Sequence, residues 1–365
     1  MTFVTSPRAC DTDRARGVRT RVTASVTVSL CVIGALAMSA CATARPPGDA
    51  APATPAPTAT TAPTPAPAAP GAAATPATPA AGAATPAPAG AAAGAPATPA
   101  PPPPPRRQVA TSRDGTKISF DVEGTGPALL LVHGGGQTGR SWRERGFVEK
   151  LRGQFTVITM DLRGSGESGK PATPDAYALD NVLDDLTAVA DAAKAPRFHL
   201  WGFGHGATIG RYLAARSPRV IAAVLVSANF GPPLEGVVRD AVAGMRAKWL
   251  PLVQQQMAGT LKVDTLTNSD RTAWDAGVAV SALALGALMD YPPLEPAEIK
   301  APTLWVMGAA DTSAMENVKA YEGKLAGTTV TLKLLSGASY TDSFGKSELS
   351  LAVALPFLLA APTTP

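Results

Sequence analysis

Residues His199–Val220 read HLWGFGHGATIGRYLAARSPRV, and this stretch decides the fold class. Arg197–Trp201 (RFHLW) is a short apolar run of strand type, and it stops at Gly202-Phe203-Gly204-His205-Gly206. Ala207–Arg216 then carries helical periodicity and is closed by Ser217-Pro218. A chain that passes from strand to helix in so few residues brings backbone against backbone, which glycines permit. The next run, Val220–Val226 (VIAAVLV), is again apolar throughout, as a strand buried on both faces should be.

Reading outward, the pattern repeats. Val109–Asp121 alternates apolar and polar around Asp114-Gly115 and predicts an opening hairpin. Ala128–Val132 and Phe155–Met160 predict buried strands, Leu179–Ala193 an amphipathic helix, and Thr303–Met307 and Thr329–Leu335 the last two strands. Leu349–Leu358 predicts a terminal apolar helix broken near Pro356. Strands alternating with helices imply a mostly parallel sheet covered on both faces. Between Phe230 and Pro293 the alternation gives way to helical stretches containing Trp249 and Trp274, expected to form a lid over the carboxyl ends of the strands. Those tryptophans and the Leu283–Met289 run read as lid core before they read as a substrate box.

The N-terminal third differs in kind. Arg14–Arg21 form a positive segment, Val22–Met38 run apolar, and the run ends Met38-Ser39-Ala40-Cys41. Residues 42–106 are almost wholly Ala, Pro, Thr and Gly, a composition that cannot bury enough apolar surface to offset ordering entropy. The expected organisation is a leader over 1–41, a disordered linker over 42–106, and one domain over 107–365 with its lid near 231–293. As extended polyproline II the linker would reach up to roughly 200 Å, at about 3.1 Å per residue.

Three of the four net positive charges belong to the leader. Without Arg8, Arg14, Arg16, Arg19, Arg21, Asp11 and Asp13 the chain holds 27 basic and 26 acidic residues, with no electrostatic footprint for nucleic acid. All three cysteines, Cys10, Cys31 and Cys41, precede the linker. The domain therefore has no disulfide, no catalytic thiol and no cysteine-ligated metal. Glycines 202, 204 and 206 superficially suggest a dinucleotide loop. No acidic residue follows between His205 and Leu234 to bind a ribose, so no nucleotide, metal or other cofactor is expected.

Four motifs in order resemble the α/β-hydrolase family. They are LLLVHGGGQTGRSW (Leu129–Trp142), DLRGSGESGKP (Asp161–Pro171), the His199–Val220 stretch, and Ala301-Pro302-Thr303 through GAAD (Gly308–Asp311). The resemblance implies an oxyanion loop after Val132, a nucleophile elbow centred on residue 204, a catalytic acid at Asp311 and a base at residue 340. Gly204 stands where the family places serine, and neither aspartate nor cysteine replaces it. The only histidines are His133, His199 and His205, so none follows the elbow, and the base position holds Tyr340. Of the triad only Asp311 matches. The backbone around Gly135, Gly136 and His205 is expected to keep an oxyanion-like donor pair able to hold a carbonyl or carboxylate. Loss of serine and histidine together costs on the order of 10⁶ in rate.

The segment before Cys41 resembles a bacterial lipobox. That implies an acylated Cys41 that anchors an exported domain to the cell-envelope membrane. Three readings follow. The leading one is a non-hydrolytic envelope lipoprotein that binds a small apolar or acyl ligand, or a protein partner. The second is an enzyme (a hydrolase, or a cofactor-free lyase or oxygenase) using His205 or Tyr340 beside Asp311. The third is a structural envelope protein whose pocket is filled by side chains. Oligomeric state is left open. His133 reads as support for its loop, His199 as a packed strand residue, Ser168 as structural, and Ser227 as a strand-end residue near the pocket.

Overall fold

A computed structural model describes residues 107–361; the leader and linker lie outside the described residues, as does any test of Cys41. Eight strands form one sheet: β1 (Gln108–Thr111), β2 (Lys117–Glu123), β3 (Ala128–Val132), β4 (Thr156–Met160), β5 (Phe198–Phe203), β6 (Val220–Val226), β7 (Thr303–Gly308) and β8 (Val330–Leu335). Their order is β1-β2-β4-β3-β5-β6-β7-β8. The opening hairpin pairs antiparallel, β2 meets β4 antiparallel, and every later pair is parallel. The sheet is therefore mostly parallel, as the alternation of runs predicted.

Period-two alternation sorts the side chains of each central strand onto two cores. Leu130, Val132, Leu200 and Leu225 face one layer, which holds helices α3 (Leu179–Ala192) and α4 (His205–Arg216). Leu129, Leu131, Trp201 and Val224 face the other. That layer holds α1 (Arg140–Glu144), α2 (Phe147–Leu151) and the C-terminal helices. Both faces are dry, which is why β3, β5 and β6 read as unbroken apolar runs.

The lid comprises α5 (Gly236–Met257), α6 (Asn268–Asp275) and α7 (Val278–Ala287), with Trp249 and Trp274 packed 6.4 Å apart within it. Its two stalks are joined by a bridge in which Gly231 and Leu294 exchange backbone hydrogen bonds of 3.1 and 3.0 Å. Beyond the lid come α8 (Thr312–Tyr321), α9 (Asp342–Gly345) and α10 (Ser347–Ala360).

One sequence expectation is corrected. Helix α10 is not broken at Pro356 but runs through it to Ala360. A proline removes one backbone donor, and Pro356 lies on the exposed side, where its ring meets no packed neighbour layer. Strand β5 also extends past Trp201 to Phe203, so the helix after it starts at His205 rather than Ala207. Among the described residues no single helix is long and apolar enough to cross a membrane.

Candidate functional site

The elbow is built as the glycines require. A β-carbon on Gly202 would lie 2.6 Å from the backbone of Ala207, so the strand can approach the helix only with glycine there. Gly204, the residue between β5 and α4, has φ +50° and ψ −111°, a conformation that a residue with a side chain holds only under strain. Its amide donates to the Val226 carbonyl at 2.9 Å, and its carbonyl accepts from the Thr208 amide and hydroxyl at 2.8 and 3.0 Å. The turn thus runs tightly from strand to helix with glycine at its apex.

The space in front of it is taken. The Tyr340 hydroxyl occupies the position a β-carbon on Gly204 would need, with its ring carbon Cζ 3.3 Å from that position. Tyr340 is held there by one direct ring contact and by its surroundings. Its ring packs on Phe203 at 5.1 Å, and Phe203 stacks on Phe344 at 4.4 Å with planes 10° apart. Phe344 in turn meets Trp142 edge-on at 4.8 Å and stacks on Phe147 at 5.3 Å. On the other side of the residue, Ser339 and Asp342 clasp one another, Oγ to carboxylate at 2.7 Å. A loop nailed into an aromatic cluster at one end and clasped at the other is a fixed part of the core.

Burial, with the nearby Asp311 carboxylate adding to it, pushes the Tyr340 phenol up to about 12. A phenol pushed up in this way keeps its proton at neutral pH. Asp311 is brought near it because the loops after β7 and β8 are stitched together, Ala309 N–H to the Leu335 carbonyl at 3.0 Å and Ala310 N–H to that of Ala338 at 2.9 Å. Asp311 caps α8, its Oδ1 accepting from the Ala314 amide at 3.1 Å. One carboxylate oxygen is therefore committed to the helix end.

The oxyanion-side loop is also covered. Gly135 faces the lid: a β-carbon there would stand 3.0 Å from Cδ2 of Leu285 and 3.8 Å from Cβ of His205. Gly136 takes φ +70° in the same turn. The structure brings Gly135, His205, Gly204 and Tyr340 to one place, with Leu285 lying on the loop and Tyr340 against the elbow.

His205 is half-buried at the start of α4. Burial and the neighbouring His133 hold its imidazole neutral, down to about 3. It borders a cavity of about 10 Å³ shared with Arg163, Tyr177 and Tyr291, room for about one water. A second hollow, about 440 Å³ and open to solvent, lies between β1 and α3, remote from the elbow.

The other residues singled out from sequence are structural. His133 Nδ1 lies 2.8 Å from the Gly134 carbonyl, and its Nε2 accepts from the Leu162 amide at 3.0 Å, so both nitrogens support loops. Ser168 accepts from the Ser119 amide at 2.9 Å and donates to the Asp161 carbonyl at 2.6 Å. Asp161 holds the DLRG turn by accepting from the Gly139 and Glu167 amides at 2.7 and 2.9 Å. Arg163, fully buried, grips Asp185 through two bonds of 2.6 Å. His199 is buried in β5 with neither ring nitrogen hydrogen-bonded.

Three features depend on tertiary contacts that the sequence does not specify. Leu285 was placed in the lid core, but its contact over Gly135 depends on how the lid docks. Ser227, at the end of β6, adopts φ +57° with its hydroxyl buried and unpartnered, and nothing in VLVSANF marks that turn. Arg211 is buried in α4 with no carboxylate at ion-pair distance among the described residues. It donates instead to the Asn229 carbonyl at 2.6 Å and to the Tyr212 hydroxyl at 2.9 Å, while Tyr212 donates to the Pro292 carbonyl at 2.5 Å. Arg211 and Tyr212 together hold both stalks of the lid.

A family model described as alpha/beta hydrolase fold matches residues 127–272. The match takes in the oxyanion loop, the DLRG turn and the elbow, and ends before Asp311 and Tyr340. An uncharacterised protein of Mycobacterium tuberculosis is 34% identical over 146 residues, 40% of this chain and 40% of that protein. Epoxide hydrolase 3 of Siraitia grosvenorii is 32% identical over 125 residues, 34% of this chain and 39% of that protein. The chain thus spans about 40% of the length of these curated relatives. Among solved structures, epoxide hydrolase A of Mycobacterium thermoresistibile superposes with a TM-score of 0.55 at 18% identity, covering 71% of this chain and 99% of that one. Sequence match, structural neighbours and the geometry of the elbow agree: residues 107–361 form an α/β-hydrolase-fold domain.

Proposed function

We propose that this protein is a non-hydrolytic member of its fold, exported and held at the cell envelope through a lipid on Cys41. The observation that carries this reading is the Tyr340 hydroxyl seated against Gly204, where the side chain of a nucleophile would project. Hydrolysis by this fold needs an attacking group at the elbow and a base to activate it. Here the first is absent, and the second is a phenol pushed up to about 12. The epoxide hydrolase activity named for the relatives does not transfer, because residue 204 offers no carboxylate either.

The filled space over Gly204 argues against a small acyl ligand at the elbow and is also what the structural-protein reading expects. A β-carbon on Gly135 would stand 3.0 Å from Leu285, so the lid lies close over that loop. The cavity beside His205 has room for about one water.

The test is labelling of the full chain with a fluorophosphonate probe, together with turnover of ester and epoxide panels. No labelling and no turnover above buffer are expected. Labelling of any serine in the domain, or turnover lost in a Tyr340→Phe or His205→Ala variant, would overturn the reading. Metabolic labelling with a palmitate analogue, lost on Cys41→Ser, tests the anchor separately.

A further inference from the structure

Arg107 is the residue at which the Pro-rich tract of the sequence, ending Pro105-Arg106, meets the domain. Its side chain lies among three carboxylates: Asp121 on β2 at 2.7 Å, Glu167 at 3.4 Å, and Asp161. Asp161 is the buried one, its side chain 2% exposed against 64% for Glu167. Among the described residues Arg107 is the only cation at ion-pair distance from it. A carboxylate out of water depends on such a partner, because burial removes the solvent that would otherwise hold its charge.

The two oxygens of Asp161 face different ways. Oδ2 accepts from Arg107 and from the Glu167 amide at 2.9 Å, while Oδ1 accepts from the Gly139 amide at 2.7 Å. Gly139 closes the oxyanion-side loop. The residue that opens it, His133, is bound to the same segment, since its Nε2 accepts from the Leu162 amide at 3.0 Å. Both ends of loop 134–139 thus hang on Asp161 and Leu162, and Asp161 is held in turn by Arg107. Gly139 has no slack at this point. A β-carbon there would stand 2.8 Å from the Met160 carbonyl oxygen at the end of β4.

We propose that Arg107 is a clamp coupling the end of the Pro-rich tract to loop 134–139, so that withdrawing Arg107 from Asp161 frees the loop beneath Leu285. Whatever pulls on the chain just before Arg107, or binds to it there, then alters the order of that loop. The inference uses neither the chemistry of the elbow nor the lipid on Cys41. Coupling of this kind is reciprocal, so it can be read from either end.

The test uses the full chain. The amides of Gly134, Gln137 and Gly139 are all hydrogen-bonded, and their exchange reports the order of the loop. Arg107→Ala is expected to speed it at least tenfold while β5 and β6 keep their rates. Arg107→Lys keeps the charge but replaces a fork of donors with one ammonium group, and is expected to speed it at least threefold. Asp184→Asn, which frees Arg113 in the opening hairpin, is the control and is expected to leave the loop unchanged. From the other end, Gly139→Ala forces the loop away from β4. Trypsin cleavage after Arg107 is then expected to quicken at least fivefold, read by mass spectrometry as a product that begins at Gln108. A role of Arg107 confined to β1 would not respond to residue 139.

Exchange at Gly139 unchanged in Arg107→Ala overturns the proposal; if that chain does not fold, the same result in Arg107→Lys does so. Equal acceleration in β5 and β6, or in the Asp184→Asn control, also overturns it. So does cleavage after Arg107 that Gly139→Ala leaves unmoved.

Discussion

The phenol oxygen of Tyr340 fills the space a β-carbon on Gly204 would enter, while Gly204 itself keeps φ +50° and ψ −111°. The two residues lie far apart in sequence and constrain each other. With tyrosine in that seat, glycine is the one residue that fits position 204 without displacement.

This makes a double-mutant cycle informative. Gly204→Ser alone is expected to cost about 2 kcal/mol, from steric conflict with the hydroxyl and from backbone strain. Tyr340→Phe alone is expected to be near neutral, because it removes one oxygen and keeps the ring packed on Phe203. In the double variant the conflict with the oxygen is gone, so the two effects should couple by on the order of 1 kcal/mol or more. Urea denaturation of the four proteins measures this, and additive effects would show that the hydroxyl does not exclude a side chain at 204.

His199 sits in the core with two unpartnered ring nitrogens, packed edge-on against Phe155 at 5.7 Å. Replacing it with leucine removes polar atoms that gain nothing from the fold. His199→Leu is expected to stabilise the domain by about 1 kcal/mol, a rise in Tm of roughly 2–4 °C for a domain of this size. A lower Tm would mean that the imidazole has a partner in solution.

The pH dependence follows from the histidines. Burial, helped by Arg197, pushes His199 down to about 4, and burial beside His133 pushes His205 down to about 3. Both lie below the ordinary value of 6.5. Between about pH 6.5 and pH 4 the unfolded chain therefore takes up protons that the native state refuses. Stability is expected to be level above pH 7 and to fall below 6.5, by up to about 1.4 kcal/mol per pH unit for each histidine. Denaturation midpoints from pH 8 to pH 4 check this, and His199→Leu should flatten the slope.

Arg211 joins the two lid stalks through the Asn229 carbonyl and, by way of Tyr212, the Pro292 carbonyl. Arg211→Met is expected to loosen the stalks without unfolding the sheet, because no carboxylate is left stranded. Amide exchange at Gly231 and Leu294, which bridge the stalks, should speed by about tenfold or more, while exchange in β5 and β6 stays slow. Equal acceleration in the sheet would assign Arg211 to global stability instead.

The fold was legible because it rests on short-range patterns. The apolar runs of β3, β5 and β6, the glycines around residue 204 and the hairpin at Asp114-Gly115 each specify local geometry, and buried parallel strands leave few ways to combine them. Pro356 misled because the cost of a proline depends on what surrounds it, and here it faces outward.

By itself the sequence determined that residue 204 is glycine and that no histidine follows His205, since residue identity is all those statements need. Only the tertiary structure decided what fills the vacated space. Tyr340 reaches Gly204 because the loops after β7 and β8 are stitched together and Phe344 is locked among Phe203, Trp142 and Phe147. Leu285 reaches Gly135 because the lid closes over the strand ends. Contacts between residues so distant in the chain depend on the packing of whole elements, and no local pattern encodes that.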